Sequence, residues 1–278
     1  MKADLHLHTT ASDGRSSPQE IVGMAARLGL KVIAITDHDT VAGLAPALAA
    51  AKRYPDLRVI PGVEVSTDVP HGEVHVLGYF IDYLDDELAS TLERLRNSRQ
   101  VRAEKMVAKL ALLGAPVDWE RVREIAGGGS IGRPHVAQAL VERGHISSSR
   151  EAFVRYIGRN GPAYVERDKL TPEQVVELIV RARGLPVLAH PAEMEQLEEV
   201  MARLQKVGLA GIEAYYNGYP RKTVKYLASL ASKYGLVASG GSDYHGVDNA
   251  NETPIGKVAI PSECVEQLFA LAAQRSRA

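Results

Sequence analysis

Two periods of hydrophobic residues take turns along this chain. "KADLHLH" (2–8) alternates as a strand does, and "KVIAITDH" (31–38) is a nearly continuous apolar run, as in a strand covered on both faces. Between them, "SSPQEIVGMAARLG" (16–29) reads as a helix. Ser17 and Glu20 stand at capping-box spacing, Pro18 suits the first helical position, and Gly29 suits the stop. A second helix is predicted around 41–53, then strands near 58–66 and 73–80. The alternation returns late in the chain. A helix starts at Thr171, then come a strand at "LPVLAH" (185–190), a helix over 193–207 and a strand at "GIEAYY" (211–216). A helix over 221–233 and a strand at "GLVASGGSDYH" (235–245) lead to a final helix that takes Cys264 into its core. Alternating β and α segments predict an α/β fold, a (β/α) barrel or a related layered sheet.

The middle of the chain breaks this rhythm. "NSRQVRAEKMVAKLALLG", "VDWERVREIA" and "RPHVAQALVERG" read as helices with no strand between them. They predict a helical insertion, a cap over 91–165, set between the two parts of one barrel at 1–90 and 166–278. Residues 91–170 hold 15 Lys and Arg against 9 Asp and Glu, whereas the remainder holds 18 against 25. A basic cap over an acidic body suits an anionic ligand held between them, although solvated helix faces explain the charge equally well. "GGG" at 127–129 lacks the following Lys of a phosphate-binding loop and reads as a flexible joint.

At 278 residues, 45% hydrophobic and 24% charged, the chain can bury a substantial core. Its one cysteine excludes an internal disulfide framework and fits a reducing cytoplasm. The first residues do not resemble a signal peptide, and no apolar run approaches the roughly 20 residues that span a bilayer.

The chemistry lies in the polar residues that close the strands. His6 and His8 end the first, Asp37 and His38 the second, and Glu64 and His75 lie in the next two. His190, Asp243 and His245 end later ones, and Asp13 follows the first. His6 and His8, two apart, share one face of a strand; alone they could simply face water. However, strand ends converge in α/β barrels, and six of the nine histidines collect there with Glu64, Asp13 and Asp243. Imidazole and carboxylate together suit divalent zinc, iron or manganese, and the lack of a cysteine ligand argues against a purely structural zinc site.

In this order, "DLHLHTTASDG", "AITDHDT", "GVEVS", "HVLGY", "VLAHP" and "GGSDYH" resemble the motifs of the polymerase and histidinol phosphatase (PHP) superfamily. The resemblance implies a distorted (β/α)₇ barrel with a three-metal centre, manganese being the leading expectation and iron or zinc the alternatives. It implies that His6, His8, Glu64 and Asp243 hold one metal, and that Asp13, His38 and His245 hold a second. His190 and His75 would hold the third, with Glu64 bridging. Asp13, His38, Glu64 and His245 are thereby the residues expected to serve catalysis.

"IGRPHVAQALVERG" and "RYIGRNGPAYV" in the insertion resemble a PHP subfamily that acts on nucleoside 3′,5′-bisphosphates, nucleoside monophosphates or the 5′ ends of short RNA. There Arg133 and His135 would bind phosphate; read without the resemblance, they are exposed residues at a helix start. Tyr215 and Tyr216 offer either a base-stacking wall or packing, while His71 and His145 have no assigned role and are expected at the surface. The expected substrate is a nucleotide or the 5′ end of a short single strand of RNA or DNA. A net charge of −1 speaks against duplex nucleic acid. A histidinol-phosphate phosphatase, an amidohydrolase and a non-catalytic metal-stabilised binding module are the rival readings.

Overall fold

Seven strands pair in chain order: β1 (Ala3–Asp4), β2 (Val32–Ile35), β3 (Arg58–Val69), β4 (Gly72–Tyr79), β5 (Leu185–Leu188), β6 (Gly211–Tyr216) and β7 (Val237–Gly241). The computed structural model describes residues 1–69, 72–166, 170–247 and 252–275. Neighbours run parallel except at β4, which is antiparallel to both β3 and β5. The two ends of the sheet then meet. Leu5 N donates to Gly240 O at 3.2 Å, His8 N to Tyr244 O at 3.0 Å, and Asp243 N to His6 O at 3.0 Å. The result is a nearly closed seven-stranded barrel, distorted because a hairpin stands where a helical crossover would otherwise join β3 to β4.

The barrel's helices are α1 (Pro18–Arg27), α2 (Leu44–Ala51), α7 (Pro172–Arg181), α8 (Leu197–Lys206), α9 (Arg221–Lys233) and α10 (Ser262–Arg275). Ser17 and Thr171 start α1 and α7 with full capping boxes, closed by Glu20 and Gln174. α8 starts later than the sequence predicts, because Gln196 takes φ +53 after a short 3₁₀ turn at Pro191–Glu193. β1 is also shorter than predicted. Ala3 and Leu5 join the interior apolar cluster, but Leu7 joins the cluster under the helices, so the side-chain register changes at His6. That change turns His6 and His8 inward.

Elsewhere the period-two alternation sorts the strands. Val32, Ala34, Leu77 and Val187 fill the interior, while Ile33, Ile35, Val76 and Leu188 pack outward under the helices. From α10, Cys264, Val265 and Leu268 join the interior set and stopper the end where the parallel strands begin. The opposite mouth is left for polar side chains.

Between β4 and β5 lie α3 (Asp86–Leu112), α4 (Trp119–Ala126), α5 (Arg133–Glu142) and α6 (Ser149–Ala152), followed by a π-helical turn at Phe153–Ile157. They enclose an apolar cluster of their own, with Met106, Leu110, Val122, Val136, Leu140 and Ile157 at its centre. α3 belongs to both bodies: Leu88, Leu92 and Leu95 pack with the barrel, and Ala103, Met106 and Leu110 with the cap. "GGG" is a packed junction instead of a flexible joint. Gly127 caps α4 at φ +58, and a Cβ on Gly129 would lie 2.6 Å from Ser12 O and 2.7 Å from Thr10 O. Among the described residues, no helix is long and apolar enough to cross a membrane.

Closure of the barrel makes a testable demand on Gly241. A Cβ there would fall 2.3 Å from His6 Cβ and 2.5 Å from His6 N, so Gly241→Ala should push β7 away from β1. A loss of about 1–3 kcal/mol in urea unfolding is expected, as for an overpacked core. Gly23→Ala is the control, since its new methyl would meet only ordinary contacts of 3.4 and 3.6 Å. It should be neutral or stabilise by up to about 1 kcal/mol. Equal effects of the two substitutions would contradict the packing account.

Candidate metal centre

The open mouth collects all nine of the ligands expected from the sequence. Glu64, 1% exposed on β3, is their hub. Its Oε2 lies 3.2 Å from His6 Nε2, 3.2 Å from His8 Nε2 and 3.1 Å from His38 Nδ1. Its Oε1 lies 2.8 Å from His75 Nδ1 and 3.2 Å from His190 Nε2. Asp243 Oδ1 approaches His8 Nε2 at 3.0 Å and His6 Nε2 at 3.3 Å. Asp13 stands apart, 3.3 Å from His245 Nε2, 3.8 Å from His8 Nδ1 and 4.0 Å from His38 Nε2.

Among the described residues, three sets of donors each fit within 4.8 Å: His6, His8, Glu64 and Asp243; His8, Asp13, His38 and His245; and His38, Glu64 and His75. His8 and His38 are each shared between two sets, and His190 reaches the centre through Glu64. Buried polar atoms normally find hydrogen-bond partners. Here His8 Nδ1 and Nε2, His38 Nδ1, Asp13 Oδ1 and Asp243 Oδ1 make no hydrogen bond among the described residues. Close, buried and unbonded imidazole and carboxylate donors are what a shared divalent cation satisfies, so the residues fit such ions.

A second layer of side chains holds the donors in place, and the sequence reading gave these no role. Glu213, fully buried on β6, accepts from His6 Nδ1 at 3.0 Å and from His190 N at 2.8 Å. The first contact fixes the tautomer of His6 and leaves Nε2 free for a cation. Asp37 accepts from Thr9 N, Thr9 Oγ1 and Ser12 Oγ at 2.7–2.8 Å, which ties the loop carrying Asp13 to β2. Asp4 accepts from Ser242 N at 2.9 Å and Gly256 N at 2.7 Å, pinning the segment that presents Asp243. Asp243 and His190 take φ of +53 and +29, unfavourable for these residues and sustained by such bonds. Buried acids inside apolar runs, Asp4 in "KADLHLH" and Glu213 in "GIEAYY", were the available signal.

One arm of the cap also reaches in. Arg99, buried on α3, donates through Nε to Asp39 and through Nη2 to Ser66 Oγ at 2.7 Å, directly behind His38 and Glu64.

Charge and burial oppose one another throughout the centre. Burial raises the pKa of Asp13, Glu64 and Asp243, yet the surrounding histidines outweigh it and hold all three well below the usual range. Burial likewise works against a proton on His245, but Asp13 and Asp243 push its pKa up to about 10. Burial wins at His38, pushed down to about 3. In the metal-free chain, protons therefore occupy some of the positions that cations would take.

The expected phosphate-binding pair behaves unequally. His135 is buried, not exposed as a bare helix start would have it. Gly132 N donates to its Nδ1 at 3.0 Å, which leaves the proton on Nε2, and its titration feels Asp13 and His245. Burial keeps the ring neutral by lowering its pKa. Arg133 is half-buried, its guanidinium 5.4 Å from the centre of the Phe153 ring. Tyr216 faces the centre and donates to Asp243 Oδ2 at 2.7 Å, whereas Tyr215 packs against the apolar core. His145 is half-buried at 2.9 Å from Pro116 O, and His71 lies outside the described residues.

A family model described as the PHP domain matches residues 4–157. The chain belongs to the PHP domain family. This PHP protein is 36% identical to the 5′-3′ exoribonuclease Rnm of Escherichia coli, over 87% of its own length and 84% of that protein's. It is 35% identical to a 3′,5′-nucleoside bisphosphate phosphatase of Chromobacterium violaceum, over 87% and 86%. A phosphoribosyl 1,2-cyclic phosphate 1,2-diphosphodiesterase of Eggerthella lenta is 33% identical, over 88% and 95%. Among solved structures, one from Bifidobacterium adolescentis described as a metal-dependent phosphoesterase superposes with a TM-score of 0.87 at 28% identity, covering 96% and 95%. An amidohydrolase of Chromobacterium violaceum, solved with sulfate and no metal, superposes at 0.86 with 32% identity, covering 99% and 97%. The PHP protein is thus a hydrolase of the metal-dependent phosphoesterase class, with a distorted α/β barrel and a buried His, Asp and Glu centre able to hold metal ions.

This centre should exchange protons for metal. With His245 held up to about 10, the metal-free protein keeps that proton at pH 8, and an incoming cation must expel it. Calorimetric titration with Mn²⁺ in buffers of different ionisation enthalpy should show net proton release. Apparent affinity should fall as pH drops from 8.5 to 6. An affinity independent of pH, without proton release, would contradict this electrostatic description.

Proposed function

We propose that this PHP protein hydrolyses phosphate esters of nucleotides: nucleoside 3′,5′-bisphosphates, 5′-monophosphates, or the 5′ end of short single-stranded RNA. The observation that carries this reading is one juxtaposition. Nine buried or half-buried donor residues, Glu64 among them as the hub, gather at one mouth of the barrel, and the cap sets His135 close enough to feel Asp13 and His245. The named activities of the similar proteins support it, since each cleaves or releases a phosphate ester.

In this reading His6, His8, Glu64 and Asp243 hold one divalent cation and Asp13, His38 and His245 a second. His75 and His190 hold a third, with Glu64 common to it and the first; manganese is the leading candidate. Such cations supply an activated water near neutral pH and neutralise phosphate charge. The chain's own residues do the rest. His135, neutral with its proton on Nε2, donates a hydrogen bond to a phosphate oxygen. Arg133 offers two parallel donors to the same group, a fork that matches phosphate geometry. Arg99 keeps its end of the cap against the loop that carries His38, so the phosphate grip and the metal ligands stay in register. The barrel, 1–90 and 166–278, carries the ligands, and the insertion, 91–165, carries the grip.

Two outcomes test this reading. Phosphate release from AMP, adenosine 3′,5′-bisphosphate and a 5′-phosphorylated trinucleotide should far exceed that from histidinol phosphate, and the reverse order would move the substrate to the amino-acid class. Arg133→Ala should cost roughly 10- to 150-fold in kcat/KM, the value of a charge-assisted bidentate contact, with metal content unchanged. Arg133→Lys should recover part of that loss. An effect of Arg133→Ala within about twofold would leave Arg133 as an ordinary surface side chain.

A further inference from the structure

A cavity of about 960 Å³ opens beside the metal centre, and no described residue of the cap lines it. His75, His190 and Tyr216 form its inner edge, and Met194, Tyr219 and Val200 line it further out. We propose that this cavity is a nucleobase subsite, in which Tyr219 and Tyr216 form a stacking wall for the base of a nucleotide whose phosphate lies at the metal centre. The proposal rests on the nucleotide reading above and extends it to a specific surface.

Three features of the cavity point to a base. The first is rigidity. The rings of Tyr216 and Tyr219 lie 5.0 Å apart, centre to centre, at 54°. Both hydroxyls are committed, Tyr216 to Asp243 Oδ2 at 2.7 Å, and Tyr219 as acceptor from Ala192 N at 3.0 Å. Two pinned rings offer a flat apolar surface with little ordering left to lose on binding. The thioether of Met194 adds a soft, adaptable contact beside them.

The second feature is charge. Glu193 and Glu195 line the cavity, and Arg203, the one Arg or Lys among its described lining residues, lies 3.2 Å from Glu173. A phosphate would be repelled there, whereas a neutral planar group would not. The cap side presents Arg133 and His135 instead. The centre is therefore polarised, with phosphate drawn towards the cap and the uncharged end of the substrate towards β5 and β6.

The third feature is size and position. Small-molecule sites run about 300–1,000 Å³, so the volume is ample for a nucleoside. Its inner edge includes two of the metal-centre histidines, so a phosphate at the metals and a base against Tyr219 belong to one continuous groove.

The test separates the base from the phosphate. Adenosine, which lacks phosphate, should bind the metal-loaded protein in a calorimetric titration, and Tyr219→Ala should weaken it roughly 5- to 150-fold, the usual loss on removing a stacking ring. Tyr219→Leu, which keeps apolar volume but no ring, should do the same, and Tyr219→Phe, which keeps the ring and loses only its pin to Ala192 N, should retain most of the binding. Turnover should follow: KM for AMP rises in the Ala and Leu variants, while kcat/KM for ribose 5-phosphate stays within about twofold. Equal losses on both substrates, or adenosine binding indifferent to Tyr219, would overturn the subsite. Nucleotide hydrolysis without adenosine binding would overturn the subsite and leave the proposed function standing. Adenosine binding that depends on Tyr219 in a protein that hydrolyses no nucleotide would do the opposite.

Discussion

Everything at the mouth of this barrel is arranged around one buried carboxylate. Glu64 lies within 3.2 Å of five imidazoles drawn from or beside four different strands. A lone carboxylate in such a place would carry a desolvation penalty of several kcal/mol, and so would each charged imidazole. Neither is tolerable alone, and only mutual neutralisation, by protons or by cations, makes the cluster stable. The fold provides the rigidity this needs. Strand ends converge there, β7 closes on β1 through glycines, and α10 seals the far end with apolar side chains.

The supporting carboxylates explain how so much ligand chemistry sits on strained backbone. Asp4, Asp37 and Glu213 are buried and accept from backbone N–H groups of the loops that present Asp243, Asp13 and His190. Each converts an irregular strand end into a fixed one. Arg99 does a comparable job between the bodies, since α3 begins in the packing of the barrel and ends in the packing of the cap. Cap and centre are consequently parts of one rigid arrangement at that corner, not two bodies joined by a loose hinge.

Much of this was legible in the sequence because a cluster of buried donors able to hold metal ions puts unusual residues where strands should end. His6, His8, His38, His190 and His245 interrupt or close apolar runs, and no other role readily explains them in that number. The strands themselves were clear where burial on both faces made the run continuous, as in "VIAI". What stayed hidden depended on three-dimensional contact. The register change at His6, the late start of α8 and the packing of Gly129 against Ser12 leave no periodic trace. Arg99 looked like one more basic residue on a long helix. Its partner Asp39 is 60 positions away, a distance that no local pattern spans.

The central claim is that Glu64 joins separate metal-binding sets into one phosphoesterase centre. Glu64→Gln keeps the shape of the side chain and removes its charge, so elemental analysis of Mn²⁺-loaded protein beside wild type is the most direct measurement. The variant should lose more than one equivalent of metal, and phosphate release with it, while its circular dichroism remains native. Full metal content with undiminished phosphate release would contradict that claim.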